Sequence, residues 1–281
     1  MFKKLLGQFG KHKHRLSANQ HSSELSSKRY YLAICCIIKD ENEYLEEWIS
    51  YHLKTGVQHF YIYDNESSTP INDTLSELNL LKYATVTRID GKAKQVEAYA
   101  HCLSNFGPEC AWIAFIDIDE FIVAKSTGGN LAAFLKGYET FGGLGINWLI
   151  FGSNGHAKKT GRPQLESFTM RTSEHHRLNT HTKSIVQPRF VKSAFNAHFF
   201  HYIRNKFCVN ENFTPISGAF SKVSVNKIQL NHYFCRSVEE FSAKQKRGRG
   251  DTGEERTMEE FYTHDKVANA VKDTAILYLF K

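Results

Sequence analysis

The sequence predicts an α/β fold with a mostly parallel, twisted central sheet and helices on both faces. Three observations carry this expectation. Apolar runs of strand length alternate with amphipathic stretches of helix length, the alternation continues through four strands between residues 30 and 117, and each strand ends in polar groups. In sheets of this kind ligands bind beyond the carboxyl ends of the strands, so those polar groups are the first place to look for a site.

The elements follow in order. Residues 1–28 are polar, basic and Ser-rich, and read as a flexible leader outside the fold. "YYLAICCIIK" is the first strand. "NEYLEEWISYHLKTG" is a helix with Leu45, Trp48, Ile49 and Leu53 on one face and Gly56 closing it. "VQHFYIYDN" is the second strand, "INDTLSELN" a short helix, "YATVTRID" the third strand, "KQVEAYAHCLSNFG" a helix and "AWIAFID" the fourth strand. Beyond about residue 125 the alternation loosens. "GGLGINWLIFGSNGH" reads as a strand and a Gly-rich loop that lacks the spacing of a phosphate-cradling loop. Histidines and basic residues then accumulate, and residues 237–250 read as a helix capped by Ser237.

Composition narrows the function classes. With 281 residues and 41% hydrophobic content, the chain can bury a large core as one α/β unit or two small ones. Thirty-six basic against 29 acidic residues give +7, which suits phosphorylated ligands, anionic lipid or nucleic acid without choosing among them. Six scattered cysteines without C-x-x-C spacing read as reduced thiols, neither a disulfide framework nor a zinc site. No apolar run approaches the roughly 18 residues needed to span a bilayer. The basic N-terminus lacks the apolar core of a signal peptide.

The candidate site lies at the strand ends: Lys39-Asp40-Glu41-Asn42, Asp64-Asn65, Asp90 and Asp117-x-Asp119. Any one of these suits a turn or a helix cap. "WIAFIDIDEF" is the sharpest, because a carboxylate at the end of a buried strand must be exposed, protonated or paired. Two aspartates one residue apart there point to a metal ion as the partner.

Four ordered segments, "CIIKDENEYLEEWISYHLKTGVQHFYIYDN", "FIDIDEF", "NWLIFGSNGH" and "NHYFCRSVEEFSAKQKRGRGD", resemble the glycosyltransferase family 92 and family 2-like group. The resemblance implies a GT-A fold over residues 29–255, with a nucleotide-sugar half at 29–124, an acceptor half at 125–255 and a helical extension at 256–281. It implies inverting transfer of a sugar from a UDP-sugar to a glycan or glycolipid acceptor, with Mn²⁺ or Mg²⁺; galactose is the family's first choice of donor sugar, and glucose and N-acetylated sugars stay open. The missing N-terminal Golgi anchor of animal members implies a bacterial-type enzyme of surface polysaccharide synthesis. That enzyme would be cytoplasmic, with peripheral docking at the inner face of the cell membrane left open, and would have no nucleic-acid partner.

By analogy with that fold, Asp119 is the expected direct metal ligand, and Asp117 contacts the ribose or reaches the metal through water. His232 is the late metal or diphosphate contact, with a backbone-bonded strand histidine as its alternative. Stabilising a leaving diphosphate calls for cations, and Lys244 and Arg247 on the basic helix are the candidates, a solvated face being the alternative. Lys39, Asp40, Asn42, Glu43 and Asp64 are expected at the nucleotide, as are Lys94 and Gln95 near the third strand's end. An inverting transfer needs a base; Asp251 is the first choice, then Glu174 and Glu211. Trp148, Phe151 and His156 are the expected acceptor platform, or core. Two other classes stay open: a metal-dependent phosphoesterase or nuclease on the same carboxylates, and a non-enzymatic basic binder of nucleic acid or lipid.

Overall fold

The computed structural model describes residues 27–279, so the expected leader lies almost wholly outside the described residues. The first strand, β1 (Tyr30–Ile38), pairs in parallel with β2 (His59–Asp64) on one side and β4 (Cys110–Phe115) on the other; β3 (Ala84–Arg88) extends the parallel set beyond β2. Side-chain alternation along β1 divides the core. Leu32, Ile34 and Cys36 meet Leu45, Trp48 and Ile49 of α1 (Leu45–Lys54), and α2 (Ile71–Glu77) adds Ile71 and Leu75 to the same layer. Ala33 and Cys35 face the other way, against Ala98, Tyr99 and Cys102 of α3 (Gln95–Asn105). The helices therefore cover both faces, and the adjacent cysteines point to opposite ones. Gly56 ends α1 at φ +96°, a conformation that only glycine adopts without strain.

The second half departs from the alternating pattern. It comprises β5 (Glu120–Val123), α4 (Leu131–Leu135), β6 (Gly143–Ile150), α5 (Gln164–Ser167), β7 (Met170–Arg171) and β8 (Thr182–Val186). Then come β9 (Val191–Ala194), β10 (Phe200–Tyr202), β11 (Cys208–Val209), β12 (Pro215–Ile216) and β13 (Gln229–His232). The chain finishes with α6 (Val238–Arg247), α7 (Met258–Ala268), β14 (Val271–Lys272) and α8 (Ala275–Tyr278). Strand β8 runs antiparallel between β4 and β6, so the large sheet, ordered β12-β11-β6-β8-β4-β1-β2-β3, is mixed as a whole while its β3-β2-β1-β4 part is parallel as expected. The α/β class stands. The mixing enters where the βα alternation that dictates parallel crossovers gives out.

Two local features position the site. Strand β13 pairs in parallel with β6 and antiparallel with β5, in a register that sets His232 opposite Glu120. Helix α6 opens on a capping box in which Ser237 Oγ accepts from the Glu240 amide and Glu240 Oε2 accepts from the Ser237 amide. It ends at Arg247, three residues short of the expectation, because Gly248 takes φ +73° and turns the chain into a loop. All six cysteines are buried and unbridged. No described helix is long and apolar enough to cross a membrane.

Candidate active site

A cavity of about 430 Å³ opens at the sheet edge formed by the carboxyl ends of β1, β4, β6 and β13 and the start of β8. Of the residues expected at the site, it brings together Lys39, Gln95, Asp117, Asp119 and Trp148 with His232, Lys244, Arg247 and Asp251.

Asp117 is held on both oxygens. Gln95 Nε2 donates to one at 2.7 Å and Lys183 Nζ to the other at 2.8 Å. The Asp117 amide donates to Glu120 Oε2 at 2.8 Å. Lys183 is fully buried beneath the pair and also lies 3.7 Å from Glu120. Burial lowers the Lys183 pKa, and Asp117 and Glu120 more than reverse that, so it stays charged. Burial, reinforced by Asp117 and Asp119 and opposed by Lys183, pushes the pKa of Glu120 well above the usual carboxylate range. Its Oε1 has no hydrogen-bond partner.

Asp119 is buried, and its Oδ2 meets both the Lys244 ammonium and, at 3.4 Å, His232 Nε2. Burial works to raise its pKa, but Lys244 and then His232 hold it well below the usual range. Burial lowers the His232 pKa, leaving a neutral imidazole whose Nδ1 has no hydrogen-bond partner. The 3.4 Å gap is too long for a good hydrogen bond. It is close to the roughly 3 Å that separates adjacent ligand atoms of an ion binding each at about 2.1 Å. One carboxylate and one imidazole fit Mn²⁺ or Mg²⁺ when a diphosphate and water complete the shell. Lys244 shares that oxygen and must yield to an ion. Among the described residues no group of three or more His, Cys, Asp or Glu gathers as a metal cage. Both oxygens of Asp117 are engaged by Gln95 and Lys183, which leaves Asp119 as the carboxylate of the pair that stands beside His232.

Further expectations are corrected by geometry. Arg247 donates to the Asp40 carbonyl and, at 2.6 Å, to Glu41, which also takes Arg236 at 2.6 Å; its guanidinium braces the loop after β1. Asp40, Asn42 and Glu43 line a separate shallow depression, where they bond to Ser68, Thr74 and Lys159. Asp64 accepts from the amides of Ser67 and Ile71 and so ties down the start of α2. Lys94 pairs with Glu97 outside the cavity.

Among the base candidates, Asp251 sits exposed at the rim. Glu174 lies outside the cavity. Glu211 is buried elsewhere, accepting from Ser224 Oγ and the amides of Asn226, Lys227 and Ile228, and so pins a loop. Trp148 lines the cavity, but its ring stacks on His181 at 4.7 Å and meets His232 at 4.4 Å, so it supports the histidines. Phe151 is core and His156 lies outside the cavity.

The sequence reading missed Lys183, His181 and His198, and it placed Arg256, Glu260 and His264 in an extension. All six line the cavity. The four-residue spacing of Glu260 and His264 was a readable sign of a shared helix face; Arg256, just before the helix, carried no such sign.

With this geometry in view, comparison with known proteins is decisive at one level. The sequence profile of Glycosyltransferase family 92 matches residues 29–265. The chain belongs to glycosyltransferase family 92. The family 92 match extends through Arg256, Glu260 and His264, in keeping with their place in the cavity wall.

Among its relatives, a family 92 protein of Oryza sativa subsp. japonica is 29% identical, with the alignment covering 77% of this chain and 35% of that protein. One from Ricinus communis is 28% identical, over 77% of this chain and 38% of its own length. One from Arabidopsis thaliana is 24% identical, over 63% and 32%. The chain thus spans about a third of these plant relatives, and they lend nothing to the bacterial setting expected from the sequence. Among solved structures, glucosyl-3-phosphoglycerate synthase from Mycobacterium tuberculosis aligns at 11% identity over 63% of each chain, with a TM-score of 0.35. A putative glucose-1-phosphate thymidylyltransferase from Bacillus anthracis aligns at 11% identity over 46% of this chain and 61% of its own, with a TM-score of 0.32. Neither likeness is close enough to carry an argument.

Proposed function

We propose that this family 92 chain transfers a sugar from a nucleoside diphosphate sugar, UDP-galactose being the first donor to test, to a hydroxyl of a glycan or glycolipid acceptor with inversion. The observation that carries this reading is the strand-end pair Asp117 and Asp119 facing a cavity of nucleotide-sugar size, with His232 delivered beside Asp119 by β13.

Asp119 and His232 would hold a divalent ion, which would supply positive charge against the leaving diphosphate. Lys183 and Gln95 fix Asp117 so that its carboxylate meets the donor in one orientation, a ribose hydroxyl being the fitting partner. Asp251, at the open rim, takes the proton of the acceptor hydroxyl as that oxygen attacks the anomeric carbon. The phosphoesterase reading asks for two neighbouring metals and more ligands than Asp119 and His232 offer.

Titration calorimetry of UDP with and without Mn²⁺ tests the proposal. UDP binding that strengthens with Mn²⁺, and loses that gain in Asp119→Asn, is the expected result. UDP binding indifferent to both the ion and the substitution would sink it.

A further inference from the structure

The cations of the cavity differ in how they are satisfied. Lys183 is paired with Asp117, Lys244 with Asp119, Arg247 with Glu41, Arg249 with Glu260, and Lys39 with Glu66 at 3.5 Å. Among the described residues Arg256 is the cavity cation without a carboxylate within ion-pair distance. It donates through Nη1 to the Gly248 carbonyl, while its buried Nε has no hydrogen-bond partner. A guanidinium keeps its charge even when burial opposes it. A half-buried guanidinium that lines a cavity with no carboxylate partner and one donor idle is an incomplete arrangement that an anion completes.

The surroundings hold Arg256 in place. The turn before it closes through Arg249 N to the Glu254 carbonyl at 2.8 Å and Gly253 N to the Arg249 carbonyl at 2.9 Å, with Gly248 and Gly253 both at φ +73°. Arg249 ties this turn to Glu260 on α7, and the Gly250 carbonyl accepts from the Gln95 amide at 3.0 Å. Gln95 is the residue that grips Asp117. One short loop therefore links the grip on Asp117 to the idle guanidinium.

We infer that Arg256 receives the diphosphate of the donor, an assignment that rests on the nucleotide-sugar reading above. The planar fork bonds two phosphate oxygens, and the substrate supplies the counter-charge that the protein withholds. Of the two cations expected in this role from the sequence, Arg247 is committed to Glu41, and Lys244 is paired with Asp119 until an ion takes its place.

The test is calorimetric titration of the full chain, in the presence of Mn²⁺, with UDP, UMP, uridine and inorganic pyrophosphate. Arg256→Met should weaken UDP and pyrophosphate by about ten- to a hundredfold and leave uridine unchanged. Arg256→Lys should recover part of the loss, and it carries the test should the Met variant fail to fold. UDP bound as tightly by both variants as by the parent overturns the inference. Arg256-dependent pyrophosphate binding without binding of any nucleoside diphosphate keeps the inference and removes the donor reading. A parent that binds neither removes both.

Discussion

Lys244 and His232 converge on the same oxygen of Asp119, the lysine from a position 125 residues further along the chain. A buried carboxylate needs a counter-charge, and here an ammonium supplies it on the atom where an ion would bind. Lys244→Met should therefore lower stability in EDTA by about 3–5 kcal/mol, the usual cost of leaving a buried charge alone. Mn²⁺ should restore much of that loss and should bind the variant more tightly than the parent when no nucleotide is present. Melting curves with EDTA and with Mn²⁺, read beside Mn²⁺ titrations, check this. A variant indifferent to Mn²⁺ contradicts a metal at Asp119.

Lys183 and Glu120 form a second contrast. Burial raises the Glu120 pKa and so favours its uncharged form, and Glu120→Gln should change stability by less than about 1 kcal/mol. Lys183→Met leaves Asp117 without its buried partner and should cost about 3 kcal/mol. Denaturant titration of the two variants decides it. Equal destabilisation would mean that Glu120 is ionised in the fold.

Asp251 and Glu211 separate catalysis from structure. Asp251 is exposed at the rim, so Asp251→Asn should leave the melting temperature unchanged and cut kcat by about a hundredfold or more. Glu211→Gln replaces one acceptor oxygen with an amide NH2 set against two of the four donors and should cost about 1–3 kcal/mol, with kcat of the folded enzyme unaltered. A large kcat loss in Glu211→Gln would reverse the assignment.

His52 sets a pH slope far from the cavity. Its Nδ1 donates to the Trp48 carbonyl at 2.9 Å, and burial lowers its pKa to about 3. Because the folded value lies below the unfolded one, the unfolded chain binds the extra proton first, and stability falls as pH drops from about 6.5 toward 3. The slope from this group is about 1.4 kcal/mol per pH unit, and His52→Gln should remove that share. Urea midpoints measured across this range test it; an unchanged slope in the variant contradicts the assignment.

What the sequence disclosed follows from what is local. Apolar periodicity exposed β1, α1, β2, α3 and β4, and the Asp-x-Asp pair marked the cavity edge because a strand must end where its charges begin. Ser237 declared α6 through its cap. Lys183 stayed hidden because "HTKSIV" reads as an ordinary strand until β8 is known to lie beside β4. Glu211 looked available because nothing nearby in the chain announces a carboxylate bonded to the backbone up to 17 residues away. Arg256 was assigned to an extension because the motif-bearing segment ends before it, although the fold returns it to the cavity.

The most direct measurement is UDP release from a panel of UDP-sugars with Mn²⁺, comparing the parent with Asp119→Asn. The account expects one donor to be turned over slowly without acceptor, and that turnover to fall at least about a hundredfold in a folded Asp119→Asn variant. Turnover of no donor, or equal turnover by both proteins, would contradict it.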